Sequence, residues 1–296
     1  MTTDQLMMAA TAPVASADFG QGPKSILLHV QDDSSLEERL ETALSLARSC
    51  AAHLSCIHVT PMQAYVAFDN FGGMFVMKKA MEAIDEQAAK LRERLEAKLS
   101  IEDVSWDFEE INGDVAAAII NRAALSDIVV AGRHPRHQDF VGPSVGLLGD
   151  LLYHCRSPIL VPGDDQPVLD PTTTAVIAWD GSYEAANTIR ASIDLLKIAQ
   201  EVKIIQVAEE KPTPFPGTRM LEYLSRHGIH AELTVLQPPG GYADHKAIAA
   251  SLVSQVPQGG YLVLGGYSHS RAGEYVFGGV TRSLFNQCPI TLVIGR

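Results

Sequence analysis

An internal repeat limits the folds open to this chain more than any other feature of its 296 residues. When the second half is shifted back by 149 positions, Ile189 falls on Leu40 and Ile193 falls on Leu44. The repeat is thus about half the chain long, which is too long for one unit of a solenoid. The sequence therefore predicts two tandem domains of similar fold.

Each half alternates short apolar runs with segments of helical periodicity. Ser25–Val30 and Tyr261–Gly265 are apolar enough to be strands buried on both faces. Strands that alternate with helices through short connections predict an α/β fold with a mostly parallel sheet, helices on both faces and right-handed crossovers. The predicted strands are Ser25–Val30, 54–59, 104–111, 127–132, Ile159–Val161, 175–179, 202–207, 231–237, Tyr261–Gly265 and 290–294.

The segments between these strands carry apolar residues at the spacing of one helix face. In the second half of the chain, Gly228 follows a short helical pattern and is expected to end that helix as its C′ residue. The predicted helices are 36–47, 74–99, 115–124, 145–154, 185–196, 218–227 and 244–253, and a further helical pattern follows Gly279.

Composition sets the domain limits. Residues 1–23 are rich in Ala, Thr, Ser and Gly, which predicts a flexible N-terminal arm. Proline, glycine and aspartate cluster from 162 to 171, which is typical of a linker. We therefore predict a first domain over 24–163, a linker over 164–171 and a second domain over 172–296.

Charge and cysteine content favour a cytoplasmic protein. The net charge of −12 disfavours non-specific binding to nucleic acid or to an anionic membrane. No apolar run approaches the ~18 residues of a membrane span, and no secretory signal is recognisable at the N-terminus. The four cysteines form no CxxC pair, so buried free thiols in a reducing compartment are expected.

A glycine-rich stretch near the end of the chain has the pattern of an anion site. The predicted strand Tyr261–Gly265 leads into a polar loop, and the pair Gly278 and Gly279 then precedes a helical pattern. Parallel α/β sheets place ligands at the carboxyl ends of their strands. At the start of such a helix, the N–H groups of Gly279, Val280 and Thr281 lack intrahelical acceptors and can bind a phosphate.

At these residues the chain resembles the universal stress protein family in its tandem two-domain form. Nucleotide-binding members carry Gly-x2-Gly-x9-Gly-Ser/Thr after strand four and an aspartate at the end of strand one, near the adenine. Here the motif falls on Gly265, Ser268, Gly278 and Gly279, and Asp180 matches the aspartate. The spacing is kept, but Ser268 and Gly279 depart from the pattern. The resemblance implies five-stranded sheets of order 3-2-1-4-5 and a candidate adenine-nucleotide site formed by Asp180, Gly265, Ser268, Gly278, Gly279, Val280 and Thr281.

The first half departs further from the family motif. Counting back from Pro158, as Gly278 counts back from Pro289, leads to Leu147. By this count the loop after Gly132 is two residues longer than its counterpart, and Gln31 stands where the second half has Asp180. A side chain at Leu147 would fill the space that a phosphate needs, so no nucleotide site of the family type is expected in this half.

The resemblance implies a cytoplasmic stress-response or regulatory protein rather than a catalyst, with ATP or another adenine nucleotide bound in the second half. It also implies that the domains pair through Ile159–Val161 and 290–294 as an internal pseudo-dimer; a further homo-oligomer and an unidentified protein partner stay open. The alternative is a nucleotide-independent interaction protein that acts through its loops or its Met-rich helix, 74–99. Slow nucleotide hydrolysis ranks last, because no catalytic base or nucleophile is identifiable.

No metal site is predicted. His134 and His137 lie three residues apart on the loop after the fourth strand, but no third ligand stands at a suitable spacing. Together with Arg133 and Arg136, they are expected to form a solvated basic loop.

Overall fold

The computed structural model describes residues 21–61, 73–133, 146–164, 168–208, 215–238, 244–266, 278–286 and 289–296. These segments form ten strands and nine helices. The first half contains β1 (Ser25–Val30), α1 (Leu36–Cys50), β2 (His53–Pro61), α2 (Gly73–Leu99), β3 (Trp106–Gly113), α3 (Val115–Ala123), β4 (Ile128–Val130), α4 (Gly146–His154) and β5 (Ile159–Val161). The second half contains β6 (Thr174–Trp179), α5 (Tyr183–Ala191), α6 (Ile193–Ile198), β7 (Glu201–Val207), α7 (Gly217–Arg226), β8 (Ala231–Leu236), α8 (His245–Val253), β9 (Tyr261–Gly265), α9 (Gly279–Asn286) and β10 (Thr291–Gly295).

All ten strands belong to one sheet of order β3-β2-β1-β4-β5-β10-β9-β6-β7-β8. Each half thus has the order 3-2-1-4-5, and its strands pair in parallel. The halves join where β5 and β10 pair antiparallel. The predicted fold and the predicted pairing of the final strands are confirmed, whereas the domain limits at 24–163 and 172–296 stay predictions.

The junction has the geometry of a local twofold axis. Within the halves, Leu160 pairs with Val130 and Val293 pairs with Val263, so Leu160 and Val293 are equivalent residues. Across the junction these two residues pair with each other. An equivalent residue that pairs with its own counterpart marks the axis of an isologous contact, as in a symmetric dimer. The chain therefore contains its own dimer-like interface.

The core consists of two layers, one on each face of the sheet, and both layers cross the junction. The layer under α1, α2, α5, α6 and α7 includes Leu28 of the first half and Ile177 of the second. The layer under α3, α4, α8 and α9 includes Val129 and Leu262 in the same way. Burial of apolar surface on both faces explains why the central strands read as continuous apolar runs.

One predicted helix proved wrong. The segment 185–196 is not a single helix, because it divides at Ser192 into α5 and α6. The N–H group of Ser192 donates to the carbonyls of both Thr188 (2.9 Å) and Ile189 (3.1 Å), which marks a tightened last turn. The predicted helix end at Gly228 is confirmed by its left-handed φ of +77°.

Three of the four cysteines, Cys50, Cys56 and Cys155, are buried and unpaired, as expected. Burial raises the pKa of Cys56 to about 12 and the pKa values of Cys50 and Cys155 to about 11, so these thiols stay protonated at neutral pH. Cys288 lies outside the described residues. None of the helices in the described segments is long and apolar enough to cross a membrane.

Candidate functional site

The carboxyl ends of β6 and β9 lie side by side in the second half. Ala178 pairs with Leu264 in this ladder, and the register continues toward Asp180 and Gly266. The oxygen Oδ1 of Asp180 accepts hydrogen bonds from the N–H (2.9 Å) and the hydroxyl (2.6 Å) of Ser182. Ser182 in turn caps α5 by accepting from the N–H of Ala185 (3.1 Å). Asp180 therefore shapes the turn that starts α5, and no hydrogen bond from a described residue is seen at its Oδ2, which can accept from a ligand.

Gly265 brings α5 close to the end of β9. A Cβ atom at this position would lie 2.4 Å from the backbone nitrogen of Ala185 and 2.9 Å from the carbonyl carbon of Glu184. Any side chain here would push the first turn of α5 away from the sheet. Close packing of helix on strand is therefore sufficient reason for glycine at 265.

The start of α9 presents N–H donors that have no acceptor within the helix. Its first helical hydrogen bond runs from the N–H of Arg282 to the carbonyl of Gly278 (2.9 Å). The N–H groups of Gly279, Val280 and Thr281 precede that bond and have no intrahelical acceptor. Because α9 follows β9, it starts at the same edge of the sheet as Asp180 and Gly265. The positive end of the helix dipole adds a modest attraction for an anion.

Gly278 and Gly279 are glycines for different reasons. A Cβ atom at Gly279 would lie 2.1 Å from Cδ2 of His245, whose ring packs on the glycine at the start of α8. A Cβ atom at Gly278 would meet no atom of the described structure within 4 Å, and the φ angle of Gly278 is not in the left-handed region. Neither packing against the described residues nor a left-handed φ therefore requires glycine at 278.

The structure thus brings Asp180 and Gly265 to adjacent strand ends, and it places Gly278, Gly279, Val280 and Thr281 at the start of α9 on the same edge. Ser268, the remaining predicted site residue, lies outside the described residues, as does the rest of the loop 267–277. Sequence reasoning missed His245. It follows Asp244, which caps α8 through the N–H of Ala247 (2.9 Å), and a histidine just inside a capped helix was the available signal.

In the first half, the alignment of Leu147 with Gly278 is wrong. Helix α4 starts at Gly146 and α9 at Gly279, so Leu147 lies inside the helix. The sheet register leads to the same conclusion. Leu28 and Ile177 are equivalent in the repeat, and they pair with Val130 and Val263. Gly132 and Gly265, each two residues further on, are therefore equivalent as well. Both glycine-to-helix distances are then fourteen residues (146 − 132 and 279 − 265), so the first loop is not longer. The residue equivalent to Gly278 is then Val145, so the first half still lacks a glycine directly before the helix.

A buried arginine fills the corresponding crevice of the first half. Arg39 of α1 is 1% exposed, and it donates from Nη1 to Oδ1 of Asp33 (2.8 Å) and from Nη2 to the carbonyl of Gln31 (2.7 Å). A Cβ atom at Gly132 would lie 2.5 Å from Nη1 of Arg39. The guanidinium thus occupies the space beside the end of β4, and the sequence pattern gave no sign of it.

Arg133 also differs from expectation. It was predicted in a solvated basic loop, but its side chain is only 14% exposed. It donates to the carbonyl of Phe285 in the second half (2.8 Å) and pairs with Asp164. His134, Arg136 and His137 lie outside the described residues, and no group of three or more metal-ligating side chains occurs among those described.

Solved structures share this architecture. A universal stress protein from Archaeoglobus fulgidus superposes with a TM-score of 0.68 at 16% identity, covering 92% of this chain and 96% of its own. The chain has the two-domain universal stress protein fold. A protein of unknown function from Pseudomonas aeruginosa (TM-score 0.53, 13% identity, 92% of each chain) has the same arrangement. A putative universal stress protein from the same species shares it too, with a TM-score of 0.51 at 14% identity, covering 92% of this chain and 93% of its own.

At such identities the universal stress fold is what the likeness establishes. No protein-family model matches the sequence. No curated protein matches it either.

Proposed function

We propose that this protein is a cytoplasmic, non-catalytic stress-response or regulatory protein whose second half binds ATP or another adenine nucleotide. The proposed site consists of Asp180, Gly265, Ser268, Gly278, Gly279, Val280 and Thr281. The N–H groups at the start of α9 would bind phosphate, and Oδ2 of Asp180 would accept from the base or the ribose.

Gly278 is the observation that carries this proposal. Gly265 and Gly279 are explained by their contacts with α5 and His245, so they do not argue for a ligand. Within the described residues, Gly278 has no packing contact that a Cβ atom would disturb and no left-handed φ, yet it stands directly before N–H groups of α9 that have no intrahelical acceptor. As far as the described residues go, room for a ligand that approaches the backbone is the physical reason left for glycine there.

The test is calorimetry with ATP on the wild-type protein and on Gly278→Leu. We expect wild-type binding, and we expect the leucine to weaken it by about tenfold or more, since a loss of ~1.4 kcal/mol corresponds to tenfold. Because a side chain at 278 meets no described atom, the free energy of unfolding should not fall. Mass analysis of small molecules released from the denatured protein would show whether a nucleotide is carried through purification.

Gly113→Leu is the matched control. Gly113 lies at the end of β3 in the first half, and a Cβ atom there also meets nothing within 4 Å. This variant should bind ATP as the wild type does. Absence of any nucleotide and of heat at millimolar ATP, or equal binding by both leucine variants, would contradict the proposal.

One nucleotide per chain is expected, because the first half lacks the required space. Arg39 occupies the crevice beside Gly132, and the glycine that precedes the helix is replaced by Val145. A calorimetric stoichiometry near two would overturn this part of the proposal.

The contact between His245 and Gly279 favours a second candidate, a nucleotide-independent interaction protein. The ring lies where the family's serine or threonine hydroxyl would project, so the arrangement also suits a crevice that is simply packed. Helix α2 offers a surface for a partner, since Met81 is 38% exposed. Failure of ATP binding in the experiment above would favour this candidate.

A further inference from the structure

A polar groove lies where the two halves meet, at the edge of the sheet that carries the carboxyl ends of the second-half strands. It has a volume of about 380 Å³. Tyr153 and His154 of α4 and the following Arg156 form its first-half wall, Glu184 and Asn187 of α5 form its second-half wall, and Arg296 follows β10. This volume lies within the range of small-molecule sites.

The two arginines in this groove are available to a ligand. Neither Arg156 nor Arg296 forms an ion pair with any residue in the described segments. The guanidinium of Arg296 instead stacks on the ring of Tyr153, with Cζ 4.3 Å from its centroid. This cation–π contact holds the guanidinium over the ring while its N–H donors can still bind a ligand.

At the opposite edge of the sheet, an arginine is bound by groups of the protein itself. The local twofold axis relates Arg133 to Gly266, since Gly132 is equivalent to Gly265. Arg133 reaches the carbonyl of Phe285 and pairs with Asp164, so it closes that edge from within. Gly266 has no side chain that could do the same. One edge is therefore closed by its own ion pair, and the other is an open groove with unpaired cations.

We propose that this groove binds a small hydroxylated oxyanion, a sugar phosphate or a hydroxycarboxylate. Two guanidinium groups supply paired N–H donors whose geometry matches phosphate and carboxylate oxygens. Glu184 and Asn187, three residues apart on α5, supply acceptors for hydroxyl groups on the opposite wall. Among the side chains that line the groove, the two guanidinium groups face one carboxylate, that of Glu184.

The groove is distinct from the start of α9, where the nucleotide proposal places the phosphate, although Gly265 of that proposed site adjoins the α5 wall of the groove. Its second-half wall lies on α5, and Gly265 packs against the backbone of that helix at Glu184. The site at Gly278 lies at the start of α9, and α9 and α5 cover opposite faces of the sheet. The two sites can therefore be separated by substitutions.

The test is calorimetry with ribose phosphate and with citrate, with ribose as the neutral control. We expect one or both anions to bind the wild type and ribose not to bind. Arg156→Ala and Arg296→Ala should each weaken binding by about tenfold or more, because each removes a charged donor. Which anion binds more tightly identifies a phosphate or a carboxylate ligand.

Arg226→Ala is the matched control, since Arg226 is an exposed arginine of α7 that pairs with Glu222 of the same helix (3.6 Å). It should leave binding unchanged, as should Gly278→Leu. The proposal is overturned if neither anion binds at millimolar concentration, if the groove variants bind like the wild type, or if Arg226→Ala weakens binding equally. If ATP binding depends on Arg156 and Arg296 but survives Gly278→Leu, the groove proposal stands for a phosphate ligand, and the nucleotide proposal at α9 fails.

Discussion

Glycine serves different purposes at the strand ends of the two halves. At 132 it leaves space for the guanidinium of Arg39, and at 265 it lets the backbone of α5 approach β9. At 279 it faces the ring of His245, whereas at 278 no atom of the described residues lies within 4 Å of a Cβ position. The sequence alone shows only that glycines recur at these positions. Their surroundings decide which substitutions a folded chain tolerates, and hence which glycine is informative about a ligand.

The contact between Arg39 and Gly132 predicts a strong coupling in stability. Gly132→Ala places Cβ against a guanidinium that is buried and held by Asp33 and Gln31, so it should cost about 1–3 kcal/mol as an overpacked core does. Arg39→Thr introduces the residue type found at the equivalent position 188 and makes room for the new methyl group. In that background the same alanine should be nearly neutral. A double-mutant cycle from urea unfolding measures the coupling.

Arg39→Thr is itself expected to destabilise the protein, because it removes the buried partner of Asp33. The coupling is a difference between variants, so it does not depend on that cost. Equal effects of Gly132→Ala in the two backgrounds would contradict the contact.

The strands and helices were largely predictable from sequence, and the exceptions have physical causes. The apolar runs Ser25–Val30, Ile159–Val161 and Tyr261–Gly265 are strands at the predicted bounds, because strands buried on both faces need continuous apolar residues. The break at Ser192 was missed, since apolar residues keep a helical spacing on both sides of it. The first-half motif was misaligned because Pro158 was taken as equivalent to Pro289. The helix starts and the sheet register instead relate the two halves by an offset that is two residues larger.

The packing of α5 on β9 predicts a cost for any side chain at 265. Gly265→Ala should destabilise the protein by about 1–3 kcal/mol, because its Cβ would meet the backbone at Ala185 and Glu184, and a helix backbone cannot move aside as a side chain can. Gly113→Ala is the control, since it removes the same backbone freedom at a site with no contact. The measurement is urea unfolding. Similar midpoints for the two alanine variants would show that α5 is not packed as described.

The candidate site was predictable only in part. The sequence placed Asp180 and Gly265 at strand ends and Gly278 before a helix, because strand–loop–helix order is readable from apolar periodicity. It could not reveal His245 against Gly279, Arg39 in the first-half crevice or the groove at Arg156 and Arg296. Each of these depends on side chains from elements far apart in sequence, and no local pattern records such contacts.

The ten-stranded sheet makes the two halves one structural unit. Antiparallel pairing of β5 with β10 continues the sheet across the junction, and both core layers contain residues of both halves. Internal symmetry was implied by the sequence repeat, but the symmetry is broken at the proposed ligand sites. Arg133 closes one edge while Gly266 leaves the other open, and Arg39 fills one crevice where the second half has Thr188. Under the proposals made above, one copy of the duplicated domain is structural while the other keeps space for a ligand.

The continuous sheet predicts that the halves unfold together. The chain has two tryptophans, Trp106 in β3 and Trp179 in β6, so Trp179→Phe and Trp106→Phe each leave a probe in one half. In each variant, the urea midpoint from fluorescence should coincide with the midpoint from far-ultraviolet circular dichroism, as in a cooperative transition.

Val293→Asp should separate the transitions, because it buries a charge at the pair with Leu160 that joins the halves. Leu125→Asp adds the same charge at a side chain that is 89% exposed and should leave them coincident. Non-coincident midpoints without the aspartate at 293 would mean that the junction does not couple the halves.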